Sequence, residues 1–151
     1  MSLRARFMED LKAAMKAGQS GQVATLRMVN AKLKDADIVA RARGAEVSED
    51  EIVSMLRGMI KSRTESAAMY QQGGRPELAE KEEAEIAIIR AYLPAELDAA
   101  TLEAAAREAI GALGAASMKD MGKVMGALKA RFGAALDAGQ ASAVVKSLLS
   151  A

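Results

Sequence analysis

Two helices and the turn between them can be read from residues 48–94, SEDEIVSMLRGMIKSRTESAAMYQQGGRPELAEKEEAEIAIIRAYLP. Ser48 followed by Glu51 forms a capping box. In such a box the serine hydroxyl accepts a hydrogen bond from a backbone amide of the first helical turn, and the glutamate side chain accepts one from the backbone amide of the serine. Gly73-Gly74 interrupts the pattern, and Pro94 ends the second helix because it removes a donor and restricts the residue before it. The sequence therefore predicts a helical hairpin that stops at Pro94.

The same alternation of apolar stripes and short stops extends along the whole chain. In the first helix Leu3, Phe7, Leu11 and Met15 recur at every fourth position, which predicts one buried face. Alanine, the strongest helix former, is abundant, whereas only four aromatic residues occur. Besides the hairpin, helices are predicted over residues 3–17, 22–43, 99–113, 117–132 and 140–150. We expect an all-α fold, with a four-helix N-terminal domain (1–94) followed by a three-helix C-terminal bundle (95–151).

The composition excludes much of enzyme chemistry. The 151 residues contain neither histidine nor cysteine, which removes imidazole bases, thiol nucleophiles, disulfides and thiolate or imidazole zinc sites. No phosphate-binding or dinucleotide-binding glycine motif is present, and the acidic run 80–85 is typical of the start of a helix. We therefore expect no catalytic residues, no cofactor and no metal.

Net charge and hydropathy define the expected environment. The net charge is +1, so the chain as a whole is neither a basic arm nor an acidic tail. No signal peptide and no run of eighteen apolar residues is visible, which predicts a cytoplasmic protein without membrane contact. Few aromatic residues are available for base stacking, so we expect neither readout of unpaired bases nor DNA sequence readout.

One arginine is predicted to lie on an apolar stripe. On the third helix Arg63 falls among buried positions, and on the fourth helix the turn from Glu82 to Glu85 lies opposite once the glycines fold the hairpin. A charge in such a place is costly unless it is paired. Arg63 is therefore predicted to bond Glu82 or Glu85, and an anion-binding arginine is the alternative.

A second arrangement lies on the helix predicted over 117–132. Its solvent face carries three lysines and two interior glycines: Lys119, Gly122, Lys123, Gly126 and Lys129. Glycine inside an exposed helix costs about 1 kcal/mol relative to alanine. This cost in helix stability is offset if the missing side chain lets another molecule's backbone lie close to the helix. The flanking lysines favour a phosphate backbone in that position. The alternatives are a packing groove inside the protein and simple tolerance of glycine.

A weaker basic stripe follows the second helix. Arg27, Lys34 and Arg41 are spaced by seven residues along its outer face. A solvated charged face explains this spacing without any function.

Five segments resemble the YqeY family of small bacterial proteins: MIKSR (59–63), YQQGGRPELA (70–79), EEAEI (82–86), YLP (92–94) and SMKDMGKVM (117–125). That family is similar to the C-terminal tail of GatB, one of the subunits of the glutamine-dependent amidotransferase that converts mischarged Glu-tRNA(Gln) or Asp-tRNA(Asn). The resemblance implies an all-helical protein in two parts, contact with the tRNA body, and a family label of carbon–nitrogen ligase with glutamine as amide donor.

The resemblance to the tail is partial at the level of single residues. Gly122, Val124, Met125 and Lys129 match its pattern, whereas Ala130-Arg131-Phe132-Gly133 replaces its Gly-Lys-Ala-Asn-Pro stretch. The kinase-like and amide-transfer centres of the amidotransferase belong to regions that this chain lacks, so the resemblance does not carry the chemistry over.

Three hypotheses follow for the function. The first is a non-catalytic accessory module that binds tRNA, or an aminoacyl-tRNA-processing protein, through the face of Lys119, Lys123 and Lys129. The second is a protein–protein adaptor that receives a partner helix in the groove at Gly122 and Gly126. The third and most distant is glutamine-dependent carbon–nitrogen ligase activity as part of an amidotransferase.

Overall fold

The computed structural model describes residues 1–150, in which seven α-helices and two short 3-10 turns occur and no strand is found. The helices are α1 (Leu3–Lys16), α2 (Ser20–Ala42), α3 (Glu49–Gln72), α4 (Pro76–Arg90), α5 (Ala99–Leu113), α6 (Met121–Phe132) and α7 (Ala138–Leu149). The 3-10 turns are Met118–Asp120 and Gly133–Ala135, on either side of α6. The predicted all-α class is confirmed.

The chain divides into two compact units, Met1–Leu93 and the part that begins at Pro94. The first unit holds α1 to α4 and the second holds α5 to α7. That each unit folds by itself stays a prediction.

The capping box starts α3 as its sequence predicts. The Ser48 hydroxyl accepts the amide of Glu51 at 3.1 Å, and the Glu51 carboxylate accepts the amide of Ser48 at 3.5 Å. Pro76 occupies the first turn of α4, where a missing N–H leaves no partner unsatisfied. The hairpin of α3 and α4 covers a core whose largest fully buried side chains include Phe7, Leu26, Leu56 and Ile89.

The segment after α4 is tied to α1. Tyr92 is buried, its ring meets Phe7 edge to face at 4.9 Å, and its hydroxyl donates to Asp10. The guanidinium of Arg6 lies over the same ring at 4.9 Å from its centroid. Burial raises the pKa of the Tyr92 hydroxyl well above its usual range, and the hydrogen bond to Asp10 raises it further.

The second unit has its own apolar core. Asp98 caps α5 by accepting the amide of Thr101 at 2.7 Å, and that bond holds the pKa of the Asp98 carboxyl below its usual value. Gly114 ends α5 in the left-handed conformation that glycine adopts without strain. The core side chains come from all three helices and the connection before α7: Leu102, Ala105, Ala106, Val124, Leu128, Leu136, Ala141 and Val145.

Three local expectations were wrong. Met15 is 53% exposed and Ala14 is buried instead, because a four-residue spacing rotates about 40° per step and leaves the buried face after three steps. The α4 helix ends at Arg90, so Leu93 lies outside it. Residues 118–120 form a 3-10 turn, and α6 begins only at Met121.

Candidate nucleic-acid interface

The core of the second unit decides which side of α6 faces solvent. Val124 and Leu128, one turn apart, are fully buried, and Met121 and Met125 pack partly buried beside them. A helix has only one side opposite such a stripe. On α6 that side carries two glycines and two of the three lysines.

The glycines at 122 and 126 face open space. Both are exposed, and a Cβ built on either would meet no atom within 4 Å. Packing inside the unit therefore does not require glycine at these positions. The alternative interpretation, that these glycines form a groove filled by the protein's own side chains, is therefore wrong at both residues. A backbone that approaches from outside would find this space open.

Three exposed lysines accompany the glycines. Lys123 and Lys129 belong to α6, and Lys119 lies in the 3-10 turn before it. Within residues 1–150 none of the three ammonium groups forms an ion pair, so each is available to an external anion. We call Lys119, Gly122, Lys123, Gly126 and Lys129 the Lys/Gly face.

The acidic side chains beside this face have other partners. Asp120 accepts the amide of Ala116 at 3.1 Å, and Glu108 of α5 pairs with Arg131 at 3.1 Å. Asp120 makes no side-chain cap to the first amides of α6. Within residues 1–150 neither carboxylate is bonded to a lysine of the Lys/Gly face, so the three ammonium groups supply the charge that an approaching anion meets.

The start of α6 changes how the Lys/Gly face is built. The sequence placed both glycines in the interior of one helix, but Gly122 is the second residue of α6 and only Gly126 is interior. The full propensity cost of glycine therefore applies to Gly126, since positions in the first turn contribute less to the hydrogen-bonded ladder.

The other predicted residues lie in the first unit. Arg63 donates its Nε–H to Glu85 at 2.9 Å and its Nη1–H to the Met59 carbonyl at 3.2 Å, with 14% of its side chain exposed. Glu85 rather than Glu82 is its partner. Because its side chain is largely covered and paired with Glu85, Arg63 is not open to a macromolecular anion. The weaker basic stripe, Arg27, Lys34 and Arg41, is exposed along α2.

One feature of the first unit was not predicted from the sequence. A surface hollow of about 530 Å³ is lined by α1, the end of α2 and the loop after it, with Arg4, Asp37, Arg41 and Glu46 among its walls. Arg4 and Asp37 are bonded at 2.9 Å, and this bond lowers the pKa of Asp37. The two residues are 33 positions apart, so local periodicity could not reveal the bond.

Residues 1–150 show no cluster of three acidic side chains placed to hold a metal ion. In the same residues, no helix combines the length and the hydropathy needed to cross a bilayer.

Comparison with known proteins places the chain in a family. The family described as Yqey-like protein matches residues 4–149. Two fungal proteins, each named Altered inheritance of mitochondria protein 41, mitochondrial, are 36% identical to the chain over 84 residues; they come from Clavispora lusitaniae and Meyerozyma guilliermondii. The matched part is 56% of this chain and 47% and 42% of those relatives, so it spans about half of their length or less. The chain belongs to the family of Yqey-like proteins.

Proposed function

We propose that this protein is a non-catalytic helical module that binds the phosphate backbone of tRNA through the Lys/Gly face. The observation that carries the proposal is the open space at Gly126, flanked by ammonium groups that form no ion pair within residues 1–150. An exposed interior glycine lowers helix stability, and close approach of an external backbone is a physical gain that offsets the loss. The resemblance to the tRNA-binding tail of an amidotransferase supports tRNA as the backbone in question.

The charges of the face suit phosphate. Each lysine contributes a point charge that meets phosphate without demanding a fixed geometry. Three such contacts give modest affinity, in the micromolar range or weaker at physiological salt, by the mechanism of counterion release. With few aromatic residues for stacking, the contact would follow the shape and charge of the RNA rather than its bases. We propose the cytoplasm as its compartment; the two fungal relatives are by name mitochondrial.

Binding without catalysis agrees with the chemistry that the face offers. Ammonium groups and backbone amides stabilise anions, but they supply neither a general base nor a nucleophile at neutral pH. The hydroxyl of Ser117 accepts a hydrogen bond from the amide of Lys119 at 3.3 Å. The most distant alternative, glutamine-dependent amide transfer, would be established only by that reaction in the purified chain alone.

A protein–protein adaptor is the second candidate. The same open space at Gly122 and Gly126 would admit a partner helix, and Met118, 41% exposed, adds apolar surface beside it. A pull-down that survives nuclease treatment and is lost on Gly126→Leu favours this function over RNA binding.

Fluorescence anisotropy with labelled bulk tRNA tests the proposal. The triple variant Lys119→Ala/Lys123→Ala/Lys129→Ala removes the charges of the face, and Lys61→Ala/Lys81→Ala/Lys146→Ala removes three exposed lysines elsewhere with the same change in net charge. We expect the first variant to lose at least tenfold in affinity and the control to stay within about twofold of the wild type. Equal losses by both variants would reject the site, and no binding by the wild type would reject the function.

A further inference from the structure

Arg63 connects three helices through its three guanidinium nitrogens. Its Nε–H donates to Glu85 of α4 at 2.9 Å, and its Nη1–H donates to the carbonyl of Met59 in α3 at 3.2 Å. Its Nη2–H donates to the sulfur of Met28 in α2 at 3.5 Å. Two nitrogens therefore bond to oxygen, and the nitrogen that contacts α2 bonds to a thioether.

The bond to Met28 is the weakest of the three. A thioether sulfur is a weak acceptor, whereas carboxylate and carbonyl oxygens are good ones. The guanidinium is charged, and a hydrogen bond from a charged donor to an oxygen is about twice as strong as a neutral one. Within residues 1–150 no oxygen accepts from Nη2, and only 14% of the Arg63 side chain is exposed. An oxygen at the position of the Met28 sulfur would therefore strengthen the link between α2 and α3.

Met28 is also open to small molecules from solvent. It is 37% exposed, whereas Met59, the other methionine that contacts Arg63, is buried. A thioether sulfur carries two lone pairs, and the bond from Nη2 uses one of them. The second lone pair is available to an oxidant, and oxidation of methionine adds one oxygen to the sulfur.

We propose that Met28 is a site of oxidation by peroxides and that Arg63 binds the resulting sulfoxide. The sulfur lone pair attacks the terminal oxygen of the peroxide, and the O–O bond breaks. The proton of that oxygen passes to the departing oxygen, which leaves as water or an alcohol. The sulfur is oxidised by two electrons and the peroxide is reduced. Rotation about the unbranched methionine side chain turns the new oxygen towards Nη2, where it replaces the sulfur as acceptor.

Oxidation at this residue tightens the first unit instead of loosening it. A sulfoxide disrupts an apolar core because it places a polar group among apolar ones. At Met28 the new oxygen lies between solvent and a guanidinium, so it has hydrogen-bond partners. The stronger bond ties α2 to the hairpin of α3 and α4. The change is reversible, because methionine sulfoxide reductases restore the thioether.

The more exposed methionines have no such partner. Met8, Met15, Met69 and Met118 are between 41% and 71% exposed. Within residues 1–150 the sulfur of Met28 accepts a hydrogen bond and theirs accept none. Peroxide oxidises these residues too, but their sulfoxides meet water, so their oxidation leaves stability nearly unchanged. Met28 is distinguished by the consequence of its oxidation and not by its rate.

Glutamine at position 28 tests the acceptor without any oxidant. Its side-chain carbonyl supplies an oxygen, and leucine supplies none. Urea unfolding followed by tyrosine fluorescence gives the folding equilibrium constant of the first unit for Met28→Gln and Met28→Leu. We expect the ratio of these constants to be about fivefold larger with Arg63 present than in the background Arg63→Met/Glu85→Leu. The same ratio for Met8→Gln and Met8→Leu should agree between the two backgrounds within about twofold.

Treatment of the full chain with hydrogen peroxide tests the modification itself. Mass spectrometry of peptides measures the sulfoxide at each methionine, and Met28→Leu is the control for oxidation elsewhere. We expect sulfoxide at Met28, and a folding equilibrium constant that rises at least threefold in the wild type relative to its change in Met28→Leu. Methionine sulfoxide reductases A and B together should reverse the difference.

Three results would overturn the proposal. They are no sulfoxide at Met28 when Met69 is fully converted, oxidation that leaves the wild type no more stable relative to Met28→Leu, and a ratio of glutamine to leucine that does not depend on Arg63. The site shares no residue with the Lys/Gly face, so tRNA binding and Met28 oxidation succeed or fail independently.

Discussion

Arg63 of α3 and Glu85 of α4 form an ion pair of 2.9 Å with only 14% and 15% of their side chains exposed. The hairpin thus carries a largely buried ion pair between its two helices. Such a pair contributes little net stability relative to well-packed apolar residues, but each charge depends on the other.

Removing one partner of this pair should therefore strongly destabilise the first unit. We expect Glu85→Leu to lower the free energy of unfolding of the first unit by about 3 kcal/mol, because it leaves the Arg63 guanidinium buried without its carboxylate. The double variant Arg63→Met/Glu85→Leu should recover most of that loss. Denaturation in urea followed by tyrosine fluorescence reports on this unit alone, since Tyr70 and Tyr92 both lie in it.

The exposed pair Arg43–Glu51, in the same unit, is the control. Its side chains are 57% and 49% exposed, so Arg43→Ala should cost well under about 1 kcal/mol. A loss for Glu85→Leu as small as that of Arg43→Ala would contradict the assignment of Arg63–Glu85 as a largely buried, mutually dependent pair.

Stability of the first unit should fall at alkaline pH because of Tyr92. Its folded-state pKa is raised above the unfolded value of about 10 by burial first and by the bond to Asp10 second. A raised folded pKa contributes stability that is complete below about pH 10 and is lost as pH rises towards the folded value. Urea unfolding of wild type and Tyr92→Phe at pH 8 and pH 11 checks this by circular dichroism.

We expect Tyr92→Phe to lower the free energy of unfolding by about 2 kcal/mol at pH 8, where it removes a hydrogen bond to a carboxylate. At pH 11 the difference in this free energy between the variant and the wild type should be smaller. A difference between the two proteins that does not change with pH would contradict a raised pKa for Tyr92.

Glycine at position 126 should make α6 less stable than alanine would, in exchange for tRNA binding. Gly126 lies in the interior of α6 with open space around it. The substitution Gly126→Ala should therefore stabilise the helix by about 1 kcal/mol and slow hydrogen exchange of the α6 backbone amides roughly fivefold. Gly126→Leu should also be tolerated by the fold while weakening tRNA binding, because its side chain holds an approaching backbone away.

Gly111 of α5 offers the matched control, since it too is an exposed helical glycine with nothing within 4 Å of a built Cβ. Gly111→Leu should leave tRNA binding unchanged. If both leucine variants bind tRNA as the wild type does, close approach at Gly126 is not the reason for glycine there.

The two units should fold separately. All eight buried residues of the second core come from positions beyond Pro94, so cutting the chain between residues 93 and 94 leaves that core whole. We expect each fragment to show a cooperative thermal transition by circular dichroism, with the shorter one less stable because it is near the lower size limit for a core. A fragment 1–93 or 94–151 without a cooperative transition would contradict the predicted domains.

Local sequence patterns predicted the helices well, but they did not predict which residues far apart in the sequence meet in the fold. The Ser48 capping box and the glycine stops mark helix ends because their chemistry acts within four residues. Whether Glu82 or Glu85 meets Arg63 depends on how α3 and α4 pack, which periodicity alone does not specify. The bond between Arg4 and Asp37 joins residues 33 positions apart, so no local pattern contains it.

The residues of the Lys/Gly face could be picked out from the sequence, but the local structure around them could not. The Lys/Gly spacing was visible in the sequence, whereas the 3-10 turn that holds Lys119 was not, because a serine-capped turn and a first helical turn use the same residue types. Exposure of Gly122 and Gly126 depended on which side of α6 met the core.

The salt dependence of tRNA binding is the decisive test of phosphate contact at the Lys/Gly face. If three lysines of the Lys/Gly face each neutralise a phosphate, the logarithm of the binding constant should fall against the logarithm of salt concentration with a slope of about −2 to −3. The slope for Lys119→Ala/Lys123→Ala/Lys129→Ala should approach zero. A wild-type slope that the triple variant leaves unchanged would show that these lysines meet no phosphate, and the account of this face would be wrong.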